Sequence, residues 1–467
     1  MNTIIMSGSI VSLCLILASG AAQAEVAKEA WVASYNGPGN GKDNPQALTV
    51  DAAGNAYVTG FSDSGGGNYD YATVKYNGDG NQVWVARYDG ESQGADWVKA
   101  LAVDAAGNVL VTGSSAGQET GFDFATVKYD ADGNQLWVSR YDGPAHGDDR
   151  VNGMAGDADG NVYVTGDSAG PEGQKESVTI KYGPDGDLLW ATRSGSPGVS
   201  QSLAAIAVDE EGNVYVAGGE TRKAGNSDFV VIKYDSSGNA LWTAYRDWSV
   251  HDDALYLGLD DIGNAYVAGE RVSYTEDPEK NAHEDIVIVK YGLDGKELWS
   301  ANFNGGDGSN DVASALRLDR KGDIYVGGTT LASADDSRGL SAAAYVTVKY
   351  DPDGNLLWEA RHEGLKETAG IAQGLALDAA GNVYVSGSSR GTSGQKPKVI
   401  VIKYGSHGSE LWLFRREGLT IGTKNGLYAD AAGTIWITGN DSDSRDYLTA
   451  KYVESKTVAQ PETEAVP

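Results

Sequence analysis

Cysteine is all but missing: Cys14 is the only one in 467 residues. It sits in an apolar run near the N-terminus, so cleavage after that run leaves no thiol at all. Disulfides, thiolate metal sites and cysteine nucleophiles are then excluded. Histidine is almost as scarce, with 5 copies. No Gly-x-Ser-x-Gly elbow, His-Glu-x-x-His pair or phosphate-cradling glycine loop occurs, which removes the common signatures of α/β-hydrolases, zincins and nucleotide-binding folds. Basic charge is short as well: 36 Lys and Arg stand against 65 Asp and Glu, a formal net charge of -29. Such a surface repels phosphate backbones and anionic lipid, so nucleic acid is not an expected partner, whereas cations, neutral glycans and proteins stay compatible. The apolar run is also shorter than the ~20 residues that cross a bilayer comfortably.

Glycine, in contrast, occurs 63 times. Without a Gly-X-Y period or excess proline, that abundance reads as many tight turns and points to an all-β fold. Residues 10–17 form the apolar run, and small residues follow it up to Ala22-Gln23-Ala24 before Glu25. This is the pattern of a secretory signal peptide over residues 1–24, although the first nine residues hold no Lys or Arg. Cys14 lacks the small residues that a lipoprotein box would place just before it. The expected mature protein is therefore secreted or periplasmic, in a bacterial cell envelope, with no stable membrane insertion.

One phrase, Asp-x-x-Gly-Asn-x-Tyr-Val-x-Gly or a close variant, starts at Asp51, Asp104, Asp157, Asp209, Asp260, Asp319, Asp378 and Asp430. Lys-Tyr follows it each time, at Lys75, Lys128, Lys181, Lys233, Lys290, Lys349, Lys403 and Lys451, and a tryptophan recurs at Trp31, Trp84, Trp137, Trp190, Trp242, Trp299, Trp358 and Trp412. A period of about 52 residues belongs to propellers or solenoids. In the second unit, alternating apolar residues mark four strands, A to D, over 100–104, 109–113, 124–129 and 135–141. Tight Asp-x-x-Gly-Asn turns join A to B and C to D. The chain opens with a lone D-type strand around Trp31 and ends with A, B and C strands. These facts predict an eight-bladed β-propeller of four-stranded antiparallel blades over residues 25–452, its last blade closed by the N-terminal strand, with a disordered tail over 453–467.

The three phrases resemble the SBBP-type β-propeller repeats of secreted bacterial proteins. The resemblance spans residues 31–452 and is carried in the second unit by Asp96, Ala102-Val103-Asp104, Gly107-Asn108 and the stretch from Asp123 to Lys128. That family is commonly described as seven-bladed, so seven blades is the alternative it implies. A weaker resemblance, to the Trp-docking repeats of quinoprotein propellers, rests on the Gly238-to-Trp242 spacing. The Thr-Gly-Lys of that pattern and its adjacent cysteines are missing, so no quinone is expected. The packing idea survives: each repeated tryptophan should wedge between blades.

The A-to-B and C-to-D turns are short and uniform, while the B-to-C and D-to-A loops vary, so one rim of the disc should carry all the chemical diversity and any binding site. Five units place an acid eight residues before the A-strand aspartate: Asp43, Asp96, Asp149, Asp252 and Asp311. Six place one five residues before Lys-Tyr: Asp70, Asp123, Glu176, Asp228, Asp285 and Asp446. Residues recurring in most blades are read as architecture, bonding loop amides or the repeated lysine. Their functional alternative is a ring formed by the first five around a cation such as calcium at the channel mouth. No other cofactor is expected.

Residues that break the repeat are the candidates for function. Trp97 and Trp248 lie outside the eightfold set, and Tyr274 falls in a long B-to-C loop; these are the candidate ligand-binding aromatics. His251 and Asp252, with His146, are the candidate acid–base residues. The reading that follows is a monomeric, non-enzymatic binding scaffold engaging protein or glycan through the variable rim. Its alternatives are a polysaccharide lyase or hydrolase with a central site on that rim, and an envelope assembly factor.

Overall fold

The computed structural model describes residues 25–170, 173–195, 199–223, 226–248, 252–274, 282–306, 309–331, 343–363, 370–389, 396–422 and 425–456. Each Asp-x-x-Gly-Asn phrase builds the turn expected of it. In the first, Asp51 Oδ1 accepts the Ala53 and Asn55 amides at 3.0 and 2.9 Å, and Oδ2 accepts the Asn55 side chain at 2.7 Å and the Tyr57 hydroxyl at 2.9 Å. Gly54 closes the turn at φ 80, a backbone region that Cβ-bearing residues avoid. Those hydrogen bonds, outweighing burial, hold the Asp51 carboxyl below the usual carboxylate range.

The turns connect strands into eight antiparallel sheets, so the count is eight blades and not seven. Blade one comprises Asp43–Val50, Ala56–Gly65, Asn68–Tyr76 and Gln82–Tyr88, and blade two Asp96–Val103, Val109–Ala116, Phe122–Tyr129 and Gln135–Tyr141. A strands of successive blades pack side by side around the axis. Between blades the B and C strands bury both faces: Tyr57 and Tyr71 of blade one share a cluster with Val98, Val111, Ala125 and Val127 of blade two. Among the described residues no helix is long and apolar enough to cross a membrane.

In blade two the A strand begins at Asp96, four residues before the expected 100–104 strand. Its register shifts between Val98 and Ala100, and the same irregularity recurs at this place in blades one to seven. A bulge reverses the inside–outside alternation, which is why apolar patterning alone loses the strand beyond it. Trp97 therefore stands on a strand end and not in a loop.

The last blade closes as the order of phrases implies. Glu25–Tyr35 pairs antiparallel with Tyr447–Lys456. This pairing runs past Tyr452: Val453 and Glu454 lie opposite Lys28 and Ala27, so the first residues of the expected disordered tail are strand. The repeated tryptophans then lock each blade to the next. Trp31 Nε1 donates to the Gly78 carbonyl of blade one at 3.0 Å, Trp84 to Ala131 of blade two at 3.1 Å, and Trp137 to Pro184 of blade three at 2.9 Å. The indole lies on the turn glycine, where a Cβ on Gly133 would come within 2.7 Å of the Trp84 ring. Blade eight has no C-to-D turn, because its D strand comes from the other end of the chain. There Glu454 takes over: its Oε1 accepts Trp412 Nε1 at 3.0 Å and is also bonded to Lys403.

The repeated lysines serve the same joint. Lys75 Nζ reaches the Ala131 carbonyl at 3.0 Å, the acceptor that Trp84 also uses, and lies 5.1 Å from the centre of the Tyr57 ring. Lys290 and Trp299 likewise share the Pro352 carbonyl. Lys128, Lys181 and Lys451 also reach carbonyls of the neighbouring blade, while Lys349 and Lys403 meet the carboxylates of Asp323 and Glu454, so the repeated ammonium groups find structural partners at the joints.

Candidate functional site

The five recurrent aspartates are loop staples, each tying down the D-to-A loop that leads into its own blade. Asp43 Oδ2 accepts the Gly37 amide at 2.8 Å, Asp96 that of Gly90 at 2.9 Å, Asp149 that of Gly143 at 2.5 Å, Asp252 that of Trp248 at 2.8 Å, and Asp311 that of Gly305 at 2.5 Å. All five are fully buried. A carboxylate so placed fixes the D-to-A loop where it turns onto the inner strand, and Asp252 is thereby accounted for without acid–base chemistry. Burial pushes the Asp96 carboxyl up to about 6, with Asp89 and Asp70 adding to the rise. In blades one to three the second acidic series meets arginine and not lysine: Asp70 bonds Arg87 at 2.9 Å, Asp123 bonds Arg140 at 2.7 Å and Glu176 bonds Arg193 at 2.8 Å, whereas in blade five Asp285 accepts from Asn302 at 3.2 Å. The lysines instead lie near the turn aspartates, as Lys128 does at 3.7 Å from Asp104.

Three D-to-A loops share one conformation, with Asn40, Gln93 and His146 at φ 50, 54 and 51. His146 thus occupies a left-handed position, its side chain 69% exposed and its Nδ1 2.6 Å from Asp142 Oδ2. Trp248 belongs to the loop two blades further on, where it packs edge-on against Phe229 at 5.2 Å under the Arg246 guanidinium. His146 and Trp248 each have their own partners on separate blades. His251 and the side chain of Tyr274 lie outside the described residues.

Trp97 is placed differently. Its ring meets Phe61 edge-on at 4.7 Å and Tyr69 at 5.3 Å, and Phe61 and Tyr69 themselves meet at 5.4 Å. Lys42 Nζ lies 5.8 Å from the Phe61 ring centre. All three rings are only half-buried, on the loop half of the junction between blades one and two. Phe61 and Tyr69 escape a reading for irregular tryptophans, yet the repeat does mark Phe61, since the register equivalents of Phe61 are Ser114 and Asp167. The equivalent of Trp97 in blade three is Arg150, which lies 4.4 Å over the Phe122 ring. The three-ring patch is thus a local invention on a repeated framework.

The turn rim is less featureless than its uniform turns suggest. A cavity of about 580 Å³ opens between blades three and four, lined by Asp157, Asp159, Lys181, Asp209, Glu210 and Glu211 among others. Another of about 370 Å³ lies between blades six and seven, beside Asp319, Arg320, Lys321 and Lys349. Asp157 and Asp209 spend their carboxylates on their own turns.

No family model matches the chain, so the likeness to SBBP-type repeats rests on the repeat phrases alone. The chain is 23% identical, over 78% of its length, to an uncharacterized WD repeat-containing protein of Acanthamoeba polyphaga mimivirus. It spans about a third of that relative, whose matched part is 31% of the whole. Among solved structures it is similar to Sqt1 from Chaetomium thermophilum, with TM-score 0.56 and 11% identity over 91% of this chain and 99% of that one. It is also similar to a PL25 ulvan lyase, with TM-score 0.45 and 12% identity over 74% of this chain and 90% of that one. At such identities the likeness to Sqt1 shows the propeller fold and nothing of function.

Proposed function

We propose that this chain is an exported, non-enzymatic binding propeller that engages a glycan through its loop rim, with the Phe61–Tyr69–Trp97 patch as the contact. The observation that carries this reading is three half-exposed aromatic rings grouped on the variable rim, where blade three has Asp167 in place of Phe61 and Arg150 in place of Trp97. Ring faces of this kind match the apolar faces of sugars, and the lack of basic charge suits a neutral or cation-bridged polysaccharide better than a phosphorylated ligand. Secretion by a signal peptide over 1–24 would place the protein where such polymers occur.

The test is affinity electrophoresis of the purified protein through a panel of polysaccharides, beside the Trp97→Ala variant. A central tryptophan typically contributes ~2 kcal/mol or more to an interface, equivalent to a loss of about 30-fold in affinity. Retarded migration of the wild type on at least one polymer, and its loss in the variant, is the expected result. Equal retardation of the two proteins would remove the patch from the site, and retardation of neither would sink the glycan reading.

A further inference from the structure

We infer that the loop rim carries two sites for a hard divalent cation of the calcium class, at the same place in two successive blade junctions: Asp123, Asp142 and Asp149 between blades two and three, and Asp70, Asp89 and Asp96 between blades one and two. Within each trio, one carboxylate oxygen per residue lies within 4.8 Å of the others. Calcium binds oxygens at about 2.3–2.6 Å, and three oxygens at the full 4.8 Å separation would surround a point about 2.8 Å from each, so a closing movement of a few tenths of an ångström brings each trio onto a single ion. These are the only such groups among the described residues. They replace the ring of five: Asp96 and Asp149 belong to the trios, whereas Asp43, Asp252 and Asp311 do not.

A second observation points to a ligand. Asp123, itself buried, gives Oδ2 to Arg140, while its Oδ1 is enclosed with no hydrogen-bond donor. Asp142 repeats the pattern, with Oδ2 on His146 and Oδ1 enclosed without a donor. Two anionic oxygens shut away from water with nothing donating to them are costly, and a cation between them removes the cost. In the other trio the unpartnered oxygen is Oδ1 of the fully buried Asp96, while Asp70 Oδ1 already accepts from Ser64 at 3.2 Å and Asn68 at 3.3 Å; each trio sets three carboxylates against one guanidinium, Arg140 or Arg87.

The next junction serves as an internal contrast. There Gly195 and Gln201 stand where the trio would need Asp142 and Asp149, and Glu176 alone remains. Gln201 is satisfied by neighbours, accepting from Ser194 at 2.6 Å and donating to Glu220 at 2.7 Å. Where the carboxylates are lost, the polar groups pair among themselves. Asp89 is exposed and Asp142 half-buried, so each site is open to solvent on one side, and waters can complete the six to eight oxygens that calcium takes.

Calorimetric titration of chelator-treated full-length protein with calcium chloride should show two ions bound per chain. Extracellular modules typically bind calcium with Kd of about 0.1–1 mM, so saturating calcium should raise the melting temperature by about 2–4 °C. Asp142→Asn and Asp89→Asn should each reduce the stoichiometry from two to one, and the double variant should bind none. Asp159→Asn, on the turn rim, should behave as the wild type. If a variant does not fold, the wild-type stoichiometry still decides. Absence of binding by the wild type up to 10-fold above that Kd range, or equal binding by wild type and folded double variant, would overturn the assignment.

Discussion

Deleting Glu25–Tyr35 should abolish the cooperative unfolding transition of the whole propeller and not merely fray its last blade. That strand supplies the D strand of blade eight through its pairing with Tyr447–Lys456, and it also supplies Trp31, which docks on the Gly78–Gly80 turn of blade one. Its Glu29 bonds both Arg416 of blade seven and the Tyr452 hydroxyl. Its loss therefore opens the ring at two interfaces together, uncovers Tyr428, Tyr447 and Trp436, and leaves the Tyr447–Lys456 edge unpaired. A domain of ordinary stability has only ~5–15 kcal/mol in hand, and an exposed apolar edge strand of this length promotes association between chains. Thermal unfolding followed by circular dichroism is the check. A separate peptide of sequence 25–35 should restore part of the transition by adding the missing strand. A truncated chain that melts as the full one does would show that closure contributes little.

Arg140→Ala should be the most damaging single substitution away from the apolar core. The guanidinium donates to the Tyr88 hydroxyl at 2.9 Å, Ser115 Oγ at 2.6 Å, the Ser115 and Ala116 carbonyls at 3.2 Å each, and Asp123 at 2.7 Å. It thus joins three strands of blade two to the outer strand of blade one. Removing one partner of a buried ion pair costs about 3–5 kcal/mol, chiefly because the other charge stays buried. A well-packed apolar replacement of both, Arg140→Met with Asp123→Leu, should recover a large part of the loss in chemical denaturation. By contrast Arg361→Ala, whose partner Glu359 is 33% exposed, should cost less than about 1 kcal/mol. Equal losses in the two arginine variants would mean that the inter-blade network is not what sets the difference.

How far the sequence foretells this molecule varies with the kind of residue. Turn chemistry is local, so Asp51, Gly54 and Asn55 announce their conformation directly, and eight copies of that phrase fix the blade count. Closure was legible too, because the order of strand types at the two chain ends allows one ring. Long-range pairings were less visible. Glu454 looks like a tail residue until its place opposite Ala27 makes it the substitute for a missing turn. The arginines at positions 87, 140 and 193 each follow the repeated tryptophan by three residues, a spacing present in the sequence that acquires meaning only when the strand carries it across to the acid series. At the loop rim, Trp97 is marked by its irregularity, but its neighbours Phe61 and Tyr69 come from two other strands, and only the sheet register brings the three together.

Hydrogen–deuterium exchange with and without the best polysaccharide from the panel tests the assignment of binding to the loop rim most directly. Slowed exchange is expected over residues 61–70 and 91–98, around Phe61, Tyr69 and Trp97, with none over the turns at 157–161 and 209–213 beside the larger turn-rim cavity. Protection confined to those turns would contradict the account and move the site to the opposite face of the disc.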